Sequence, residues 1–598
     1  MMHSSSGEAK KPAAATFEAG AREMSERAKS HTPEAFYANP ADPLHAAFTA
    51  KAVIHSGPGG MPKTGENARR ALEALAERPR TGKSLAYIHV PFCETRCLYC
   101  MFYQNPFKEE AVHAYAEKLV REIQMWSDRA AQNSAPIHAV YFGGGTPTAF
   151  SPDDLRLVLG ALKKYLPLAN DCEITLEGRI HNFSNEKMEA ALEGGVNRFS
   201  LGVQTFNTQV RQSMMRVDGR DAIISRLEQL CSYDDSAVVL DLIYGFPGQT
   251  MEIWEDDLRT ATSLPLDGID CYQLNVFEKS PLARRIESGK LPPAADQAQK
   301  ADFFAKSVEY LTEQNWRRLS NNHWGSSTRE RNIYNALGKS ACDCLAFGCG
   351  AGGRLFGNAF MMERKLEDYY KILEAGEKPA AFLMAPKPNW YLLRTLSADM
   401  ESGAINLKKI GAAFGGLDLE AMAAPVIKQW GEAGLLTKRG DWYCQTVAGQ
   451  YWHTTLAQLL MNWLEPMLPG AMPAGGMKKV MGAPAMEGRP GAMPGGHPHA
   501  SGANAPVSIA GIARMLAMVP ASVRDMARMM PRAMLMNKLR GMPAERLAHM
   551  GPKIDREAVL KLIESIPDDE FNAILKNPEK YAAKEAADDK KAVPPHLG

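Results

Sequence analysis

Tyr87-Ile88-His89-Val90-Pro91-Phe92-Cys93-Glu94-Thr95-Arg96-Cys97-Leu98-Tyr99-Cys100 is the stretch on which the reading of this chain turns. It opens inside a β-rich run, Leu85–Val90, that predicts a strand, and three cysteines at CxxxCxxC spacing sit on the loop directly after it. Iron–sulfur clusters are held by cysteine thiolates, and a cubane cluster usually takes four. Three thiolates on one tight loop bind three irons and leave the fourth open to a small chelating molecule. The competing readings are three unrelated cysteines or a zinc site. A structural zinc asks for four protein ligands, often as paired CxxC, and no fourth partner stands at such a spacing here. Cys93, Cys97 and Cys100 are therefore the candidate ligands of a [4Fe-4S] cluster.

Outward from this loop, β-rich runs alternate with helical segments. Strands are predicted at Leu85–Val90, His138–Phe142, Cys172–Glu177, Arg198–Val203, Val238–Ile243 and Ile269–Val276. Helices are predicted between them at Val112–Met125, Leu155–Tyr165, Lys187–Leu192, Arg220–Leu230 and Glu252–Ser263. That alternation predicts an α/β fold of parallel strands and crossover helices, packed as a barrel or part of one, over residues 84–386. Ser151-Pro152-Asp153-Asp154 reads as a helix start, with a serine cap, proline at the first helical position and acids against the dipole.

Residues 1–83 read as a leader, with helices around Glu18–Lys29 and Asn67–Glu77 and a loop over Ser56–Pro62. Residues 387–455 read as a winged-helix-like module: helices at Asn389–Leu396, Leu407–Phe414 and Leu419–Ala433, then a hairpin turning at Lys438-Arg439-Gly440-Asp441. Lys428 is the only basic residue in Ala421–Ala433, so nucleic acid is not the expected partner. A Gly/Pro/Met-rich linker (456–506), a helical extension (507–576) and a disordered, charged tail (577–598) complete the expected organisation.

With 598 residues the chain is too long for one ordinary domain. Its net charge of +1 provides no global field for nucleic acid or an anionic membrane. The polar, small-residue start lacks the apolar segment of a signal peptide, and no apolar run is long enough to span a bilayer, so no membrane insertion is expected. Ten cysteines in this length do not form a secreted disulfide pattern. A reducing cytoplasm is the expected compartment.

The sequence resembles the radical S-adenosylmethionine (SAM) superfamily and, more narrowly, the family of the oxygen-independent coproporphyrinogen III oxidase. The likeness runs from about Tyr87 to about Trp452. It rests on the cysteine loop, on Gly143-Gly144-Gly145-Thr146-Pro147 after the second strand, on Glu177 closing the third, on Gln204 in Gly202–Asn207 with Arg216 beyond it, and on Asp241 in Asp241–Gln249. The resemblance implies a partial (β/α)6 TIM-type barrel with a winged-helix-like module and an added helical extension. It implies that Gly144, Gly145, Thr146, Glu177, Gln204, Arg216 and Asp241 hold SAM, and that Tyr87 and Tyr99 flank the cluster and the sulfonium. It also implies reduced flavodoxin, or a similar protein, as electron donor.

Within that family, the porphyrinogen-decarboxylating enzymes carry a fourth cysteine two residues after the third, where this chain has Phe102. Three stretches, Glu177–Phe183, Asn322–Asn335 and Leu345–Gly353, are similar to the anaerobic heme-degrading radical SAM methyltransferases. The resemblance implies heme as substrate, a ring opened with methyl transfer to a linear tetrapyrrole, and released iron. A heme chaperone of the same family and the porphyrinogen oxidase are the alternatives. His323, His181 and Tyr87 are the candidate catalytic residues, the two histidines as groups that touch heme iron or deliver a proton. Arg179 and Arg329 are candidates for the propionates, with surface ion pairs as the competing role. Three features weigh less. Cys342, Cys344 and Cys349 read as packed small residues rather than a second cluster, and His497-Pro498-His499 as solvated linker. The methionines from Met515 to Met536 read as an adaptable helical core.

Overall fold

The computed structural model describes residues 32–52, 59–470 and a few positions between 565 and 574. The expected helix at Glu18–Lys29, most of the linker, and nearly all of the extension and tail lie outside the described residues. The chain divides into two units, Met1–Lys478 and Lys479–Gly598, and the first holds the sheet and the cysteine loop.

Thirteen strands form one sheet. In chain order they are β1 (Gly59–Thr64), β2 (Ser84–Val90), β3 (Ile137–Gly144), β4 (Leu168–Gly178), β5 (Arg198–Gln204), β6 (Ala237–Tyr244), β7 (Gly268–Gln273), β8 (Arg317–Arg318), β9 (His323–Gly325), β10 (Asp343–Phe347), β11 (Gly352–Leu355), β12 (Asn358–Met362) and β13 (Ala380–Pro386). They lie side by side as β1-β13-β12-β11-β10-β2-β3-β4-β5-β6-β7-β9-β8. The stretch from β10 through β2 to β7 is parallel, and the flanking strands pair antiparallel. The six predicted parallel strands are all present, and β10 adds a seventh. No pairing joins the two edge strands, so among the described residues the sheet is an open barrel.

Helices α1 (Gly65–Glu73), α2 (Glu109–Met125), α3 (Pro152–Tyr165), α4 (Asn185–Glu193), α5 (Arg220–Cys231), α6 (Met251–Ser263) and α7 (Gln297–Glu313) accompany the strands. Ser151 caps α3 in a reciprocal capping box with Asp154, which stabilises such a terminus by about 1 kcal/mol. Side chains alternate along each strand. Ile174, Leu176, Phe199, Leu201, Leu240 and Leu242 are buried in the main core cluster. The residues between them include Glu173, Glu177, Arg198, Ser200 and Asp241, which make the barrel interior polar. Helix α8 (Ile333–Lys339) closes the end of the barrel where the strands begin. Its first two backbone N–H groups, of Ile333 and Tyr334, donate to the Glu173 carboxylate at 3.0 Å each, an anion placed where the helix dipole favours one.

The module consists of α9 (Trp390–Glu401), α10 (Leu407–Ala413) and α11 (Leu419–Glu432) with a three-stranded sheet of β14 (Ala404–Ile405), β15 (Leu436–Arg439) and β16 (Trp442–Gln445). A further helix, α12 (His453–Leu464), packs on α9. Residues 33–52 strap onto this module: Trp430 Nε1 donates to the Phe36 carbonyl at 3.0 Å and the Ala52 N–H to Thr455 Oγ1 at 2.8 Å. The loop expected over Ser56–Pro62 is corrected in part. Gly59–Thr64 pairs antiparallel with Ala380–Pro386, and proline is tolerated there because β1 is an edge strand.

Candidate active site

The cysteine loop leaves β2 at the carboxyl end of the sheet. Cys93 and Cys97 are buried and Cys100 is half-buried. Each sulfur receives a donor: Thr146 Oγ1 lies 3.3 Å from Cys93 Sγ, Arg216 Nη1 3.7 Å from Cys97 Sγ, and the Phe102 N–H 3.3 Å from Cys100 Sγ. Burial pushes the Cys97 thiol up, but Arg216 and Arg179 more than offset it and leave it below its ordinary value. Arg179 also donates to Thr95 Oγ1 at 2.9 Å and to the Thr95 carbonyl at 3.0 Å, pinning the loop to the end of β4.

Gly144 and Gly145 are required by this packing. Gly144 has φ +111°, and a Cβ there would stand 2.6 Å from the His89 ring. At Gly145 a Cβ would stand 2.6 Å from the Phe92 carbonyl oxygen, so the strand-end turn lies directly against the cysteine loop.

One cavity, of about 490 Å³, lies at the opposite end of the sheet; the one beside the cysteines holds about 340 Å³. Cys97, Tyr99 and Cys100 line it on one side, and Gly144, Gly145, Glu177, Gln204, Arg216 and Asp241 on the other. Nearly all the residues assigned to SAM by resemblance thus meet in one space. Gln204 adopts a left-handed backbone, φ +74°, uncommon for a residue with a side chain. Its Oε1 and the Nε of Arg216 are buried without a hydrogen-bond partner, a costly state that a polar ligand relieves. Burial first, then Asp241, pushes the Glu177 carboxyl up to about 8. Burial first, then Asp270, pushes Asp241 up to about 7. Two carboxyls in such a state ionise readily once a cation is placed between them.

Four predicted residues are placed differently from the expectation. Thr146 is buried and reaches the site through its bond to Cys93. Tyr87 lies beneath the glycine turn, bonded to His89 Nδ1 at 3.1 Å and stacked on Tyr141, and does not line the cavity. His181 does not line the cavity either; its Nδ1 lies 2.9 Å from Asp218 and its Nε2 3.4 Å from Glu94. His323 is 1 % exposed, with Nδ1 2.8 Å from Asp270 and Nε2 3.1 Å from Glu330. Glu330 in turn pairs with Arg198 at 3.0 Å. Buried in the barrel wall with a carboxylate beside each ring nitrogen, His323 does not line the cavity, contrary to the expectation that it touches the substrate. Burial and then Asp270 cause the rise at Asp241, and Arg198 and then His323 oppose it. Arg329 pairs with Asp234 and is no part of the site.

The sequence reading missed the far wall of the cavity: Met101, Tyr272, Gln273, Asn275 and Phe277. Tyr272 and Gln273 end β7 and Asn275 and Phe277 follow it, and only that position at the end of a parallel strand could have singled them out. Met101 and Phe102 are 50 % and 68 % exposed beside the cysteines.

The donor set fits a cluster that presents one open iron. No group of His, Cys, Asp or Glu among the described residues converges on a single metal ion, but a cubane takes its three thiolates at three separate irons and does not need them to meet at a point.

The sequence pattern of the Radical SAM superfamily matches residues 87–261. Anaerobilin synthase of Escherichia coli O157:H7 is 40% identical over 409 residues, which are 68% of this chain and 90% of that protein. This chain belongs to the anaerobilin synthase family of the radical SAM superfamily. It therefore uses a [4Fe-4S] cluster and SAM. The heme chaperone HemW of Bacillus subtilis is 31% identical over 227 residues, covering 38% of this chain and 59% of the chaperone. Among solved structures, the coproporphyrinogen III oxidase HemN of Escherichia coli superposes with a TM-score of 0.57 at 20% identity, over 66% of this chain and 92% of the oxidase. That likeness supports the fold alone. No helix among the described residues is long and apolar enough to cross a membrane.

Proposed function

We propose that this protein degrades heme without oxygen, opening the porphyrin ring with methyl transfer to give a linear tetrapyrrole and free iron. The observation that carries the reading is the shared cavity, in which Cys97 and Cys100 meet the polar residues assigned to SAM and the exposed apolar Met101 and Phe102. Similarity to anaerobilin synthase supports the substrate class. Phe102, in place of a fourth cysteine, speaks against porphyrinogen decarboxylation.

Cys93, Cys97 and Cys100 would hold the cluster. Glu177, Gln204, Arg216 and Asp241, with the Gly144–Gly145 backbone, would hold SAM. When bound, the two together supply a reducing electron, a carbon radical and a methyl group. The chain's own residues do the rest. Thr146, Arg216 and the Phe102 amide stabilise thiolate charge at the three sulfurs. Glu177 and Asp241 become carboxylates against a cationic ligand. Tyr99, bonded to Arg216 at 3.1 Å, keeps that guanidinium aimed at the loop. Met101, Phe102 and Phe277 exclude water from the cavity mouth and offer an apolar face to a planar ring. His181, part-exposed and paired with Asp218 and Glu94, would be the proton carrier. Reduced flavodoxin or a similar protein would be the electron donor.

Anaerobic incubation of the reconstituted protein with heme, SAM and a reductant tests this. Loss of the Soret band with a new linear-tetrapyrrole absorption is the expected result. A bound, intact heme would instead support the chaperone reading.

A further inference from the structure

A second cavity, of about 490 Å³, lies at the other end of the barrel between α8, the β11–β12 hairpin and α9. Leu85, at the start of β2, is on its wall. Val90 is five residue steps along the strand from Leu85, so this cavity is roughly 17 Å from the cysteine side at ~3.3 Å per residue.

Its lining combines cations with aromatic surface. Lys339, Arg354 and Arg394 face it, against one carboxylate, Glu401. Among the described residues, Arg354 donates only to the carbonyls of Ser340 (2.9 Å) and Gly338 (3.4 Å), and Arg394 only to that of Gly338 (2.8 Å). Glu401 is near enough to favour the charge of Lys339 and Arg394, yet Arg394 Nε is buried with no hydrogen-bond partner. Guanidiniums otherwise seek carboxylate or phosphate in forked pairs. Trp390, under Arg354 at 5.3 Å, and Phe360 and Tyr334 supply flat apolar walls. The volume falls in the range of small-molecule sites, about 300–1,000 Å³.

We propose that this cavity is a second ligand site, one that takes a planar apolar body bearing two carboxylates, as a propionate-bearing tetrapyrrole does. Only the choice of ring rests on the heme reading above; the recognition of an aromatic dianion rests on the cavity itself. Arg354 and Arg394 take the carboxylates, Lys339 adds charge at the mouth, and the ring lies against Trp390 and Phe360. A tetrapyrrole could then be retained on the protein away from the reacting centre.

The full-length protein, reconstituted anaerobically, is titrated with metal-free protoporphyrin and with its neutral dimethyl ester, following tryptophan quenching. The wild type should bind the diacid at this cavity, and Arg354→Gln/Arg394→Gln should weaken that binding about tenfold or more, the loss of charge-assisted hydrogen bonds. The ester should bind both proteins equally weakly. Lys339→Met, which removes one cation of the cavity lining, provides a milder variant, and SAM cleavage by both variants reports that they fold. Equal diacid affinity in wild type and variants, or an ester that binds as tightly as the diacid, overturns the proposal. Failure of the wild type to open heme would count against the proposed reaction and leave this titration standing.

Discussion

His323→Leu tests whether the barrel wall is held by a buried charge network or whether this histidine serves heme. His323 stands between Asp270 and Glu330, with Arg198 beyond. Burial pushes its pKa down, and the two carboxylates more than offset that, raising it from 6.5 to about 9. Because the folded value is the higher one, the protein gains stability from this group fully below pH 6.5 and loses it as pH rises through about 9. At about 1.4 kcal/mol per pH unit, the contribution is at most about 3 kcal/mol. Removing the imidazolium also strands Asp270 beside Asp241, and breaking a buried pair costs about 3–5 kcal/mol. Anaerobic thermal unfolding is the assay. Wild type should lose stability between pH 6.5 and 9, while His323→Leu should unfold several degrees lower at pH 6.5 and show a flatter profile. A variant of unchanged midpoint and pH profile, with an altered heme spectrum, would refute the reasoning and return His323 to the substrate.

Three other outcomes are expected. Gly145→Ala places a methyl 2.6 Å from the Phe92 carbonyl, so it should lower iron incorporation on reconstitution; wild-type iron content would show that the loop yields. Glu177 and Asp241 have raised pKa values, about 8 and about 7, so SAM affinity should increase as pH rises from 6 to 8.5. Glu177→Gln should flatten that rise, which isothermal titration will show. A chain ending after Lys478 should fold and bind the cluster; ending it at Pro466 should cost stability, because Leu468 is buried and the Pro469 carbonyl accepts from Asn389 Nδ2 at 2.8 Å.

The parallel strands and their helices were legible because alternation of short apolar runs with helical periods survives in the sequence, and the glycine turn because only glycine fits 2.6 Å from a neighbouring backbone. The edge strand at Gly59–Thr64 was not legible: its glycine and proline composition reads as a loop, and its partner, β13, lies more than three hundred residues away. His323 was misleading for a related reason. A histidine beside Trp324 and Gly325 carries no local sign of the carboxylates that close over it, since Asp270 belongs to a neighbouring strand and Glu330 to a following loop. Tyr87 shows how one residue of register matters. It faces the interior, but below the glycine turn rather than above it. Arg179, by contrast, was noticed for its charge, and the structure puts that charge on the cysteine loop.

The most direct test is a single turnover with heme and SAM carrying a deuterated methyl group, read by mass spectrometry and by ferrous iron released. The account predicts one labelled linear tetrapyrrole and one iron for each heme consumed, and neither from Cys100→Ala. Wild-type protein that cleaves SAM while heme stays intact and unlabelled would contradict it.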